Sequence, residues 1–404
     1  MYYKRTLSKI VKNASATFPA VLINGPRQVG KTTLFEYLIN DKRIYVSLDD
    51  PRVRTLAKND PALFFKTYVP PILIDEVQYV PELFPYIKMI IDKEKKNGLF
   101  WLTGSQMFYL MKNITESLAG RVAVLNLQGL SQREKNKQPN CSPFLPSFEV
   151  SNKKDMPILN LEKIYEMIWQ GSYPRLLAET RMKWNLFYDS YINTYIQKDV
   201  KALVNIIQEH NFLKFLKIVA ARTGQLLNYN NMASDIGISV NTVKSWISIL
   251  ETSGLIFLLY PYSTNITSRV VKTPKLYFFD TGLACYLTGW DNVKVLQNGA
   301  MNGAMLETYV ISEVIKSYWH NGKEARVYFY RDKNQKEIDL IIEYNNTLYP
   351  IEIKRTANPM VNDIRNFNIL KSFTENIGIG AVICLVDSVL PMTKNTLAIP
   401  LTYL

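Results

Sequence analysis

A chain of 404 residues is too long for one ordinary core and should hold two or three units. Its 47% hydrophobic and 21% charged residues exclude a disordered chain, and its 3 cysteines and 2 histidines, scattered along the sequence, exclude a disulfide framework or a zinc cluster. A formal net charge of +13 would attract a polyanion, for which DNA is the leading candidate partner and an inert basic surface the alternative.

With so few soft ligands, any metal must be held by carboxylates and phosphates, which favours Mg²⁺. The opening MYYKRTLSKIVKN is basic, and no run approaches the roughly 18 apolar residues that cross a bilayer, so no membrane partner and a cytoplasmic location are expected. From Ala20 to about Leu130 the β-like runs AVLIN, RIYVSL, PILID and LFWLTG alternate with helix-like stretches, the rhythm of a parallel sheet covered by helices, predicting an α/β domain over residues 1–130.

Within that domain Gly25 to Thr32 read GPRQVGKT, which fits G-x-x-x-x-G-K-[ST] between an apolar strand and a helix. Gly25, Pro26, Arg27, Gln28, Val29, Gly30, Lys31, Thr32 and Thr33 are therefore the candidate ATP-binding residues. The glycines let successive N–H groups turn toward phosphate oxygens, Lys31 neutralises the β/γ phosphates, and the Thr32 hydroxyl serves Mg²⁺. The run PILIDEVQ then places Asp75 and Glu76 at the end of a second apolar strand, Asp75 for the Mg²⁺ shell and Glu76 to polarise the attacking water. Thr103 and Ser105, ending LFWLTGSQ, are suited to the γ-phosphate or the lytic water. Arg121 is a candidate arginine finger, acting on its own nucleotide or on that of a neighbour in a homo-oligomer, with a structural ion pair as the alternative.

Residues 131–160, with SQREKNKQPN and four prolines, predict an exposed linker or insertion. Residues 161–266 predict a helical middle, in which NMASDIGISVNTVKSWISILETSGLI reads as a helix-turn-helix. Ala233 is expected inside the first helix, Gly237 at the turn, Val243, Trp246 and Leu250 buried on the second, and LIFLLYPY as a wing. Asn241, Thr242 and Lys244 form a thin surface for reading DNA, so a structural or protein-docking role for this winged helix stands beside it.

Residues 267–404 return to β-like runs, KLYFF, ARVYFY, EIDLIIEY, TLYPIEIKR and AVICLV, with a helix from Met305 to Trp319, predicting a second α/β unit. Asp339 and Glu352 fall on neighbouring strands of a likely-paired hairpin, and Glu352 shares a strand face with Lys354 because side chains repeat every second residue. Such carboxylates can hold Mg²⁺ for phosphodiester cleavage, with Lys354 activating water and Glu307, on the helix, a further ligand.

The motifs GPRQVGKTTL, SLDDP with a second Asp-Pro at residues 60–61, LIDEVQ, LTGSQ, LAGR, GSYP, TYIQKDV, PKLYFFDTGL and YPIEIK span nearly the whole chain. Together they resemble prokaryotic AAA-like P-loop ATPases fused to a C-terminal domain of uncharacterised role with a restriction-endonuclease-like core. The resemblance implies an ATPase with a nuclease-like end whose E, D and E-x-K positions are Glu307, Asp339, Glu352 and Lys354. Residues 131–160 depart from the family pattern, in which LAGR leads quickly to G-x-Y-P. The expected activity is ATP hydrolysis coupled to DNA; a nucleotide-dependent protein-binding switch with an inactive nuclease fold is the rival, and a P-loop kinase is a more remote third.

Overall fold

The computed structural model describes residues 2–39, 42–104, 117–149, 157–195, 209–265 and 272–404. Helix α1 (Leu7–Thr17) leads into β1 (Ala20–Asn24), α2 (Lys31–Leu38), β2 (Ile44–Ser47), α3 (Pro51–Asn59), α4 (Pro61–Thr67), β3 (Ile72–Asp75), α5 (Leu83–Glu94), β4 (Phe100–Gly104) and β5 (Val122–Asn126). The strands form one sheet in the order β2-β3-β4-β1-β5 with every pairing parallel. β1, β3 and β4 are buried at every position, which is why they read as continuous apolar runs without alternation. Both Asp-Pro motifs are helix starts. Asp50 accepts the Arg52 amide and Asp60 the Leu63 amide, each with proline at the first helical turn, where its missing N–H costs nothing.

The middle comprises α6 (Gln132–Lys135), α7 (Leu161–Gln170), α8 (Pro174–Ala178), α9 (Trp184–Tyr195), α10 (Glu209–Ala221), β6 (Gln225–Leu226), α11 (Tyr229–Ile236), α12 (Val240–Thr252), β7 (Ile256–Leu259) and β8 (Lys275–Phe278). Asn228 and Ser239 cap α11 and α12, and Gly237, left-handed at φ 79°, ends α11. Ala233, Val243, Trp246 and Leu250 are buried as expected. Two expectations change. The KLYFF run, assigned by its position to the last unit, is β8, which lies between β6 and β7 in a separate antiparallel sheet. The segment beginning at residue 131, expected to be exposed, starts buried: Ser131 and Glu134 form a reciprocal capping box, and Arg133 donates to the carbonyls of Leu404 and Tyr403 at 2.8 and 2.7 Å.

The last part contains α13 (Thr281–Leu287), α14 (Val293–Asn298), α15 (Asn302–Trp319), β9 (Val327–Arg331), β10 (Glu337–Tyr344), β11 (Thr347–Ile353), a 3₁₀ stretch (Val361–Ser372), β12 (Gly380–Cys384), β13 (Leu390–Thr393) and β14 (Thr396–Pro400). Its sheet runs β13-β14-β12-β11-β10-β9, antiparallel from β9 to β11 and parallel from β11 through β12 to β14. α15 is buried on nearly every face, as expected of a helix apolar all round. One apolar core runs from α1 and β1 through α7, α12 and β8 to α15, β10 and β14, so the three parts are packed as one body; a second core covers the other face of the first sheet. Among the described residues no helix is long and apolar enough to cross a membrane.

Candidate functional site

The P-loop leaves the C-terminal end of β1 and opens α2. Gly25 approaches the Leu127 backbone so closely that a Cβ would lie 2.0 Å from its carbonyl oxygen, and Gly30 takes φ 91°, ψ 31°, as the helix N-cap. Any side chain at 25 would push the loop off β5, and any at 30 would strain the entry to α2. Lys31 is 6% exposed and donates to the carbonyls of Gly25 and Pro26, both at 2.8 Å, which holds its ammonium under the arch of the loop.

Asp75 collects the hydroxyls around it. Thr32 donates to Oδ1 at 2.8 Å, Thr103 donates to the same oxygen, and Tyr45 donates to Oδ2 at 3.3 Å. β4 lies between β1 and β3, so the end of β4 sits between the P-loop and the acidic pair. There Thr103 is wholly buried, and its oxygen also accepts the Glu76 amide at 3.1 Å. Thr103 therefore holds Asp75 and Glu76 in place; it does not face phosphate. Glu76 has left-handed backbone, φ 56° and ψ 47°, a sparsely populated conformation that turns its side chain out of the strand, and its carboxylate accepts from Gln78.

A cavity of about 620 Å³ opens over these groups, lined by Arg27, Gln28, Lys31, Thr32, Thr33 and Glu76 from the first domain. Sequence reasoning missed its far wall, which is made by Tyr2, Tyr3 and Arg5 before α1 and by Pro174, Arg175, Ala178 and Thr194 from α8 and α9. The Tyr2 ring stacks on Tyr37 at 4.3 Å between centroids, and burial pushes its hydroxyl up to about 12. The G-S-Y-P motif was the available signal, because it leads directly into α8.

Arg121 lies elsewhere. Its carbonyl accepts the Ala20 amide at the start of β1, and its guanidinium pairs with Asp92 at 2.7 Å. The P-loop begins at the other end of that five-residue strand, about 16 Å away at the usual rise. An arginine finger acting on its own chain is thus corrected to the ion pair at the opposite edge of the sheet. Ser105 lies outside the described residues.

In the last domain the expected residues converge only in part. Asp339 on β10 accepts the Ile353 amide at 2.8 Å, and Lys354 lies 2.7 Å from Glu352 and 3.9 Å from Asp339. Burial, then the neighbouring charges of Glu352 and Glu307, push the Asp339 carboxyl well above the usual range, and burial also raises Glu352. Glu307 turns away to receive the Tyr277 hydroxyl at 2.5 Å and Lys275 at 3.1 Å. Among the described residues no three His, Cys, Asp or Glu side chains are arranged to hold a metal ion.

Residues 17–136 match the model of an AAA domain, and residues 161–294 and 302–404 match two domains of unknown function, DUF8612 and DUF4143. The chain is 27% identical over 364 residues to uncharacterized proteins of Mycobacterium bovis and Mycobacterium tuberculosis, covering 89% of this chain and 75% of each relative. It is 23% identical over 344 residues to an uncharacterized protein of Methanocaldococcus jannaschii, covering 76% of this chain and 69% of the relative. Among solved structures, the Walker-type ATPase of Pyrococcus abyssi aligns with a TM-score of 0.41 at 14% identity, over 71% of this chain and 96% of that one. The RuvB Holliday junction branch migration motor of Thermotoga maritima aligns with a TM-score of 0.31 at 16% identity, over 62% of this chain and 88% of that one. By the domain match and by its own P-loop, the N-terminal part of the chain is an AAA-like ATPase domain.

Proposed function

We propose that the N-terminal domain binds ATP with Mg²⁺ and hydrolyses it, and that turnover shifts the middle and C-terminal parts against DNA. The observation that carries the reading is the junction of Thr32, Asp75, Thr103 and Glu76 beside a cavity floored by the P-loop. The Thr32 hydroxyl and the Asp75 carboxylate, already in contact, are hard oxygen donors that fit Mg²⁺, which when bound offsets phosphate charge. The P-loop amides and Lys31 bind the phosphates, and Lys31 must exchange its two carbonyl partners for phosphate oxygens. Glu76, one residue beyond Asp75 and lining the cavity, orients water for attack.

The order α10-β6-α11-α12-β7-β8, with β8 between β6 and β7, supports reading the middle as a winged helix. Asn241 and Lys244 are exposed near the start of α12, and with the net charge of +13 they favour a phosphate-dominated contact with DNA. In the last domain, α15 followed by β9, β10, β11 and β12 supports a restriction-endonuclease-like core, with Asp339, Glu352 and Lys354 at its centre. Arg121, at the edge remote from its own P-loop, could serve only the nucleotide of a second copy in a homo-oligomer.

A second reading, a nucleotide-dependent protein-binding switch with an inactive nuclease fold, is favoured by the engagement of Glu307 with Lys275 and Tyr277. Steady-state ATP turnover, wild type beside Lys31→Ala, with and without duplex DNA at low and higher salt, separates the two. Stimulation by DNA that fades with salt supports the first; turnover indifferent to DNA supports the second. Absence of ATP turnover that depends on Lys31 would sink both.

A further inference from the structure

The carboxylates of the last domain are served by ammonium groups from two different elements. Lys354, on β11 beside Glu352, belongs to the same sheet as the acids. Lys275 does not: it comes from β8, in the three-stranded sheet of the middle. Its side chain is 5% exposed, and its Nζ lies 2.5 Å from Glu337 and 3.1 Å from Glu307. Tyr277, two residues along and therefore on the same strand face, donates to the same Glu307 oxygen as Lys275. Asp339 is close enough to stabilise the Lys275 charge.

One acid in this group is left incomplete. Glu352 is 6% exposed; its Oε1 accepts from Lys354, while its Oε2 is buried with no hydrogen-bond partner. A buried carboxylate oxygen without a donor is costly, and it points at a position where a cation belongs. Glu307 would complete a set of hard oxygen ligands with Asp339 and Glu352, but its carboxylate is held on Lys275 and Tyr277.

Resting on the reading of this domain as nuclease-like, we propose that Lys275 is an internal stand-in for a divalent cation. Its ammonium holds Glu307 and Glu337 in a closed arrangement, and a divalent ion enters between Asp339, Glu352 and Glu307 when β8 withdraws the lysine. The exchange is electrostatically matched, because one cation leaves the carboxylates as another arrives, so neither state strands four buried acids. β8 is placed to make it. Two residues past its end, Asp280 receives the amide and hydroxyl of Ser172 at 2.6 and 2.7 Å, in the loop that carries Pro174 and Arg175 to the ATP cavity. Beyond β7, the Tyr262 amide donates to Phe329 on β9 at 2.6 Å, so the hairpin is also tied to the sheet that bears the acids.

The test is the affinity of the full chain for Mn²⁺ alone, measured by calorimetry and by the electron paramagnetic resonance of free Mn²⁺. Lys275→Met should bind one ion at least tenfold more tightly than wild type, and adding Glu352→Gln should abolish the gain. Mn²⁺ should also raise the Tm of Lys275→Met by more than that of wild type. If Lys275→Met does not fold without metal, Glu337→Gln, which removes one partner of the lysine and keeps its charge, should still tighten binding several-fold. Equal Mn²⁺ affinity in folded wild type and lysine variants, lost in each with Glu352→Gln, would overturn the stand-in role and leave the nuclease-like reading standing. No Mn²⁺ binding by any variant would overturn both.

Discussion

Asp75 shows how one carboxylate can be set by its neighbours. Thr32, Thr103 and Tyr45 all donate to it, and Thr103 also receives the Glu76 amide, so a single buried hydroxyl fixes two acids with different duties. Thr103→Val keeps the volume and removes that hydroxyl, at a cost of about 1–3 kcal/mol for the unpaired groups. We expect ATP turnover to fall about tenfold with little change in KM, because the phosphates are held by other residues; steady-state kinetics would show it, and unchanged kcat would remove Thr103 from the site. Glu76→Gln should retain nucleotide binding while slowing turnover about a hundredfold or more, since it removes only the group that orients water. Equilibrium binding of a fluorescent ATP analogue beside single-turnover hydrolysis separates the two effects. The P-loop, Asp75 and Glu76 were legible because motif and strand end coincide in the sequence. The duty of Thr103 was not, since it depends on β4 lying between β1 and β3.

At the scale of elements, two separated motifs prove to be halves of one joint. Asp280, from PKLYFFDTGL, caps α13 through the Leu283 amide at 2.7 Å and accepts the Tyr188 hydroxyl at 2.7 Å as well as both Ser172 donors. Gly171, at φ 81° and ψ −157°, lies where a Cβ would stand 2.2 Å from the Tyr188 hydroxyl, and a Cβ on Gly282 would meet that hydroxyl at the same distance. The glycines are required by close approach around this carboxylate. Asp280→Asn keeps the shape but replaces one acceptor oxygen by a donor facing donors, so a loss of about 1–3 kcal/mol is expected in urea unfolding. The KM for ATP should rise alongside it, because the loop before Pro174 loosens; an unchanged KM would detach this joint from the nucleotide cavity. Helix starts at Asp50, Asp60, Asn228 and Ser239 could be read locally from cap residues. The assignment of KLYFF could not, since strand partners are non-local.

At the scale of the molecule, the domains meet on one buried cluster. Arg5 donates to the carbonyls of Val29 in the P-loop at 2.8 Å and Gln128 at 2.7 Å, and pairs with Glu134 at 3.1 Å. Glu134 lies 3.4 Å from Nδ1 of His320, at the end of α15, and Nε2 of that ring accepts the Gln128 amide at 3.2 Å. Burial would push Glu134 up, but the charges of Arg5 and His320 outweigh it and hold its carboxyl well below the usual range. Burial lowers His320 from its ordinary 6.5 despite the Glu134 charge. With the folded pKa of the histidine below the unfolded one, the unfolded chain binds the proton better, so this contribution is full above pH 6.5 and is lost as pH falls below it. Glu134 acts in the same direction at lower pH: its contribution is present above 4.5 and is lost as acid protonates it. The Tm should therefore drop from pH 7.5 to 5.5 in wild type and less so in His320→Gln; parallel pH profiles would refute the assignment. Glu134→Gln strands a buried Arg5 and should cost about 3–5 kcal/mol in chemical unfolding.

By itself the sequence determined the local features: strand runs, helix caps, the P-loop and its acidic pair, the helix-turn-helix, and an acidic cluster with a lysine near the end of the chain. These follow from side-chain periodicity and from residues whose conformational or chemical demands are met within a few neighbours. Tertiary structure alone decided which strand separates the P-loop from Asp75, why Arg121 faces away from its own nucleotide, and that α6 is a buried fastener. It also decided that Lys275 from another sheet lies among the carboxylates. Each of these depends on contacts between residues far apart in the chain, and strand order and domain packing, which no local pattern encodes, set those contacts.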